Sequence, residues 1–248
     1  VKIDKLYSII KPFILRRNKD QVLTELPPKI EQILYCDMTP EQEKKYEEVK
    51  SFYRNKILEE IDLSGIGKSQ FTLLQGLTKL RQIANHPAMT EPDYEHSSGK
   101  MKEIIYTLEN ALAEHHKVLI FSQFVKHLTL LRTKLNDSNI KYTYLDGSTK
   151  DRQAEVEKFQ GDDDTRVFLI SLKAGGLGLN LTKADYVFIL DPWWNPATEA
   201  QAIDRAHRMG QKNVVHTYKF ITRNSVEEKI LKLQASKKQL ANNLITTE

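Results

Sequence analysis

The sequence has a single cysteine, Cys36, among 248 residues. One thiol cannot close an intrachain disulfide or build a zinc finger, so a cystine framework and a structural zinc ribbon are both excluded, and a reducing, intracellular setting fits. No apolar run approaches the roughly 18 residues that a membrane-spanning helix needs. The opening residues, Val1-Lys2-Ile3-Asp4-Lys5, lack the apolar stretch of a signal peptide, and the missing initiator Met reads as a piece of a longer protein. No excess of one charge stands out: 37 basic residues face 33 acidic ones, a net charge of +4. That balance does not identify a nucleic-acid binder, but it permits a local basic face. Metal-ligand spacing is missing too. The seven histidines, His115-His116 included, have no cysteine partners and read as surface residues or helix-end caps, so no metal site is expected.

Two phosphate-binding signatures are present only in fragments. Gly67-Lys68-Ser69 resembles the end of a P-loop, but Asp62 stands where the first glycine belongs and no strand precedes it. Gly176-Leu177-Gly178 resembles the start of a dinucleotide fingerprint, but Leu181 replaces the third glycine and a strand follows instead of a helix.

What is present is ordinary for a globular protein: 40% of residues are hydrophobic and 28% charged. From about residue 117 onward, short apolar runs alternate with amphipathic stretches. Strands are expected at Val118–Phe121, Ile140–Leu145, Val167–Ser171, Tyr186–Leu190 and Val214–Ile221. Helices are expected at Val125–Leu135, Asp151–Phe159 and Ala197–Met209. Continuous apolar strands alternating with helices predict an α/β fold, a parallel sheet with helices on both faces. Right-handed crossovers then gather the loops at the C-terminal ends of the strands.

The first third differs. Ile30–Cys36 reads as one strand after Pro27-Pro28. Thr39 as N-cap and Pro40 at the first helical position start a long charged helix, which breaks near Ser64-Gly65-Ile66-Gly67 and resumes through Phe71–Ala84. Met101–Ala113 reads as a further helix. Ser225–Leu244 closes the chain, with Ser225 and Glu228 at capping-box spacing and Ile230, Leu233, Leu240 and Leu244 as its apolar stripe.

The chemistry concentrates in three strings. One runs from Ser171 and Lys173 through Gly175, Gly176 and Gly178 to Asn180. The second is Asp191-Pro192-Trp193-Trp194-Asn195-Pro196. The third carries Gln201, Arg205, Arg208, Gly210 and Gln211. Thr198 and Gln201 stand at capping-box spacing, and Gly210 suits a helix end. At 100° per residue, Gln201, Arg205 and Arg208 fall within about 60° of one another on a helix. Ala202, Ile203, Ala206 and Met209 form a separate apolar face. Two guanidinium groups on one stripe either face an anion such as a triphosphate or form a solvated face with an Asp204–Arg208 pair. The glycines nearby favour the anion, because a glycine-rich loop brings amide N–H groups to phosphate oxygens; Lys173 and Asn180 add a cation and an amide.

These strings resemble the last motifs of Swi/Snf-type ATPases, members of the second helicase superfamily. Leu119-Ile120-Phe121-Ser122-Gln123-Phe124 and Tyr144-Leu145-Asp146-Gly147-Ser148-Thr149 resemble two earlier motifs of that family. Leu15-Arg16-Arg17 with Leu26-Pro27-Pro28-Lys29 resembles the segment that links the family's first lobe to its second, and Leu80-Arg81-Gln82-Ile83-Ala84-Asn85-His86-Pro87 also matches the family. The resemblance spans nearly the whole chain and implies the second of two RecA-like lobes. It implies an interlobe linker at 1–28, the lobe at 29–38 and 91–224, a helical insertion at 39–90, and a C-terminal helix at 225–248.

By that resemblance Arg205 and Arg208 act as arginine fingers on ATP, Gln201 positions them or contacts phosphate, and Gly176, Gly178 and Asn180 border the nucleotide cleft. Ser122, Gln123, Ser148, Thr149, Ser171, Lys173 and Trp194 are candidates for the backbone of double-stranded DNA. Ser148 and Thr149 equally fit capping of the helix near Asp151. Trp194 equally fits a core position, and Trp193 is expected to be buried. The first lobe would hold Mg²⁺ and the P-loop. Neither has a counterpart in the sequence, so the isolated chain is expected not to hydrolyse ATP. The implied partners are that first lobe, double-stranded DNA and a DNA-bound protein, with no membrane. A prokaryotic or archaeal cytoplasm, or a nucleus in a eukaryote, is the expected setting. Two other readings stay open: an RNA helicase lobe, and a free-standing nucleic-acid-binding or regulatory module.

Overall fold

The computed structural model describes residues 26–174 and 178–245. Leu15-Arg16-Arg17, Gly175 and Gly176 therefore lie outside the described residues, as do the side chains of Leu240 and Leu244.

Among the described residues six strands form one sheet: β1 (Lys29–Cys36), β2 (Val118–Ser122), β3 (Tyr142–Leu145), β4 (Val167–Ser171), β5 (Tyr186–Ile189) and β6 (Val215–Thr222). Their order is β1-β6-β5-β2-β4-β3. Every pairing is parallel. β2 and β4 are buried along their whole length, which is why their sequences are continuous apolar runs rather than alternating ones.

Alternate residues of each strand feed opposite faces. On one face Leu119, Phe121, Phe168, Ile170, Val187 and Ile189 pack with Val156 and Phe159 of α5 (Arg152–Gly161) and Ala202 and Ile203 of α6 (Pro196–Ile203). On the other, Val118, Ile120, Val167, Leu169, Phe188 and Phe220 pack with Met101, Ile104 and Leu108 of α3 (Gly99–Ala113). Leu128, Leu131 and Leu135 of α4 (Val125–Asp137) complete that layer.

Between β1 and α3 stands a helical hairpin, α1 (Pro40–Ser64) and α2 (Ile66–Asn85). Thr39 caps α1 by accepting the Gln42 amide, and Gly65 makes the break at φ 74°. The outer half of the hairpin leaves Phe52, Leu63, Phe71 and Leu74 exposed. Its base is tied down. A helix ends with carbonyls that have no partner in the helix, and here other elements supply the donors. The buried Gln42 amide donates to the Ile83 and Ala84 carbonyls at 2.9 and 3.2 Å. Thr222 Oγ1 donates to the Ala84 carbonyl at 2.7 Å, and Ser98 Oγ to the Asn85 carbonyl at 2.7 Å. Gly99, which opens α3, meets the chain at Asp37 so closely that a Cβ there would lie 1.7 Å from the Asp37 carbonyl oxygen.

Several expected boundaries shift. The helix expected over 197–209 ends at Ile203, and 204–210 run on as turns. Two carbonyl groups that would extend it have partners outside the helical pattern. The Arg205 carbonyl accepts the Leu181 amide at 3.0 Å, and the Ala206 carbonyl accepts Gln211 Nε2 at 3.1 Å. Arg205 and Arg208 are thus not on one helical stripe, and Met209 is 73% exposed rather than part of an apolar face. The N-cap of α6 is Asn195, not Thr198, with Pro196 at the first position. Gly210 has the expected positive φ, 97°, but ends the turns rather than a helix. In α7 (Val226–Ile245), Ser225 Oγ accepts the Glu227 amide, while Glu228 reaches the Asn224 amide, one residue earlier than a capping box places it. Ile230 is buried, but Leu233 is half exposed.

Candidate functional site: the strand-edge loops and the Arg205–Arg208 turn

The C-terminal ends of β5, β2, β4 and β3 lie side by side, and each is followed by candidate residues. Trp194 follows β5, Gln123 follows β2, Lys173 follows β4, and Ser148 and Thr149 follow β3. Four adjacent strands span about 14 Å at the usual spacing, so these residues form one row along a single edge.

Within that row the candidates differ. Lys173 and Ser148 are exposed. Ser148 Oγ donates to Asp146 Oδ1 at 2.6 Å, and Thr149 Oγ1 accepts the Asp146 amide at 3.0 Å, closing a local turn. The Ser148 hydroxyl is also the main reason the Asp146 carboxyl sits below its ordinary range. Capping of α5 falls instead to Asp151, which accepts the Ala154 amide at 2.9 Å. Ser122 and Ser171 lie deeper than the others, at 0% and 2% exposure. Ser122 Oγ donates to the Asp191 carboxylate.

Asp191 is the hub of a buried polar cluster that the sequence reading missed. Its other oxygen accepts the Gln123 amide at 3.2 Å. Burial raises its carboxyl above the ordinary value, while Ser122, Arg81, Lys100 and Gln123 pull it back. Arg81, on α2, is 5% exposed and donates from Nη2 to the Pro192 carbonyl at 2.8 Å. Its guanidinium carbon stands 5.3 Å from the ring centroid of Phe124 and 5.3 Å from that of Trp194. Behind it, Lys100 and Glu227 form an ion pair at 2.7 Å with both side chains at 0% exposure. Lys100 also donates to Asn85 Oδ1 and the Leu190 carbonyl, each at 2.9 Å. Arg81 and Asn85 do lie in a string whose family likeness was visible, but nothing in their spacing pointed to Asp191 or Glu227.

The Trp193-Trp194 loop is held from the other side as well. The buried Glu199 accepts the Trp193 amide at 2.6 Å and pairs with Lys219 at 3.0 Å. Gln234 of α7 donates to Glu199 at 2.5 Å, and Lys237 donates to the Trp194 carbonyl at 3.2 Å. Both indoles are partly buried, so Trp194 is neither wholly core nor free, and Trp193 is less covered than expected.

The second half of the site is the turn after α6. Arg208 Nη1 donates to the carbonyls of Gly178 and Leu179, each at 3.3 Å. Together with the Leu181–Arg205 backbone bond, this brings Gly178, Asn180, Arg205 and Arg208 together. Gly178 has φ 43°, a left-handed conformation that costs an L-residue roughly 1–2 kcal/mol. Asn180 is exposed, and its carbonyl accepts Gln160 Nε2 at 3.0 Å. Gln201 is exposed on α6, whereas Arg208 turns to the Gly178–Leu179 backbone. Among those residues neither Arg205 nor Arg208 has a carboxylate within ion-pair distance. Arg205 Nε is buried without a hydrogen-bond partner. Its pKa is lowered by burial first and then by the charge of Arg208, with Asp204 opposing. The Arg205 guanidinium stays protonated all the same. Two mutually repelling cations thus stand beside the Gly178 turn.

Residues 99–210 match the helicase conserved C-terminal domain, and residues 1–89 match the SNF2-related domain. The SWI2/SNF2 ATPase C-terminal domain of Sulfolobus solfataricus is 33% identical, with a TM-score of 0.69, over 89% of this chain and 91% of that one. This chain belongs to the SWI2/SNF2 ATPase family. Its sheet is the RecA-like fold of that family's C-terminal lobe. The Sulfolobus SWI2/SNF2 ATPase core solved with double-stranded DNA is 37% identical, with a TM-score of 0.74, over 98% of this chain and 52% of that one. An uncharacterized ATP-dependent helicase of Mycoplasma pneumoniae is 38% identical over 100% of this chain. The SWI2/SNF2 chain spans only 24% of that relative's length.

Proposed function

We propose that this chain is the second lobe of an ATP-dependent double-stranded DNA translocase, and that Arg205 and Arg208 reach an ATP held by a separate first lobe. The carrying observation is the pair of guanidiniums that repel each other and have no carboxylate partner among the described residues. A triphosphate between two lobes supplies the missing charge. Fingers of this kind contribute about 10³–10⁵ in rate. Mg²⁺ and the P-loop belong to the first lobe in this reading, and the chain alone is inactive. Gly178 and Asn180 line the cleft, and Gln201 stands at its rim.

Gln123, Ser148, Thr149, Lys173 and Trp194 meet the DNA backbone along the strand edge. A row of hydroxyl, amide and ammonium groups suits phosphate contacts, which fix position without reading sequence. The DNA-bound Sulfolobus core supports duplex DNA as the ligand. Ser122 and Ser171 act from beneath; Ser122 does so by fixing Asp191. Closure of the two lobes on ATP and opening after hydrolysis would shift the grip along the duplex.

In the complete protein, Arg205→Ala or Arg208→Ala should lower DNA-stimulated ATP turnover by about 10³-fold or more and leave duplex binding within a factor of about two. Wild-type turnover in both variants would remove the finger assignment.

A further inference from the structure

Arg81 belongs to the helical hairpin, yet its head group lies among the strand-edge loops. Three of its contacts reach residues distant in sequence: the Pro192 carbonyl, the Trp194 ring and the Phe124 ring. The Pro192 carbonyl also accepts Gln123 Nε2 at 3.3 Å, so both loops converge on one acceptor. A planar guanidinium can face two aromatic rings while donating in its own plane; an ammonium cannot do both. The base of α2 is fixed by Gln42, Ser98 and Thr222, so Arg81 is delivered from a rigid mount.

We propose that Arg81 is a positioning residue, which holds Trp194 and the Asp191–Pro196 loop at the strand edge and so ties the place of that loop to the place of the hairpin. The inference deepens the proposed DNA contact and rests on it only for the consequence in binding. Arg81 itself touches no DNA in this reading: it is buried, and it acts through Trp194.

The chain has two tryptophans, Trp193 and Trp194. Trp193→Phe therefore leaves Trp194 as the only indole, a direct optical reporter of the loop. In that background Arg81→Met, nearly the same length but without charge or fork, should raise the acrylamide quenching constant of Trp194 about twofold, with the far-UV spectrum and cooperative melting retained. Binding to a short double-stranded oligonucleotide at fixed salt supplies the second readout. Arg81→Met should weaken it about tenfold when Trp194 is present and less than about twofold in a Trp194→Ala background, the non-additivity expected of residues acting as a unit. Quenching that rises while neither variant alters duplex affinity supports the positioning role and removes Trp194 from the DNA interface. Quenching that does not change in folded Arg81→Met overturns the proposal, whatever the DNA does. If Arg81→Met does not fold, Phe124→Leu removes the opposite ring and should raise quenching in the same direction; unchanged quenching there overturns the proposal equally.

Discussion

Replacing Lys100 with Met tests the buried cluster directly. The substitution keeps length and volume and removes one charge from a pair in which both side chains are at 0% exposure. Glu227 is left with the Thr222 amide at 2.8 Å, and Asn85 Oδ1 and the Leu190 carbonyl lose their Lys100 donor. Removing one partner of a buried pair costs about 3–5 kcal/mol. In a chain of this size that lowers the melting temperature by on the order of 10 °C.

The loss has a pH signature whose sign follows from Glu227. Burial raises its carboxyl above the ordinary value, and Lys100 is the main group holding it down. Without Lys100 the carboxyl rises further. The folded state then keeps a proton that the unfolded chain releases above about pH 4.5, so stability falls as pH rises through that window. Urea unfolding of Lys100→Met, measured against wild type at the same pH, should therefore show a smaller loss at about pH 5.5 than at about pH 8. Adding Glu227→Gln should recover a large part of the loss at the higher pH. A penalty under about 1 kcal/mol, or one that is flat with pH and not rescued by Glu227→Gln, would refute the reasoning.

Two further outcomes follow from the same structure. His86 is held down to about 4 by burial, and His127, also held down by burial, has no partner on either ring nitrogen among the described residues. Both are neutral when folded, whereas the unfolded chain takes up protons below about pH 6.5. Stability should thus decline as pH falls from about 6.5 toward 4. His127→Leu should flatten that slope and melt no lower than wild type at neutral pH, because it removes an unsatisfied buried polar group; a clear loss of stability would argue against this. Gly99→Ala forces a methyl onto the Asp37 carbonyl and should destabilise the chain by about 3 kcal/mol or more, by thermal melting; a change within about 0.5 kcal/mol would show that the Asp37 backbone yields freely.

The sheet was legible in the sequence because its central strands are buried on both faces. Val118–Ser122 and Val167–Ser171 have little choice but to be apolar throughout, and both were expected almost residue for residue. Thr39 and Pro40 were equally plain, because capping is local chemistry. The turn at Arg205 was not. Its spacing fits a helix, and only the Leu181 amide and the Gln211 side chain, which are outside the helical period, take the groups that a helix would use. The partner of Ser122 was hidden for a similar reason: a hydroxyl at a strand end looks available in sequence, and only the fold brings the Asp191 carboxylate to it. Arg81 lay in plain view within a family-like string. Its task depends on two rings from two other loops, and no spacing along one helix reveals that.

The hairpin is anchored at one end and bare at the other. α2 has 20 residues, a rod of about 30 Å. Its foot rests on Gln42, Ser98 and Thr222, and its outer half carries the uncovered Phe71 and Leu74. Such a rod is a lever with its fulcrum beside the tryptophans. A tilt of about 10° at the foot swings the tip by about 5 Å, so a load applied far from the sheet would arrive, scaled down and stiffened, at the indole of Trp194.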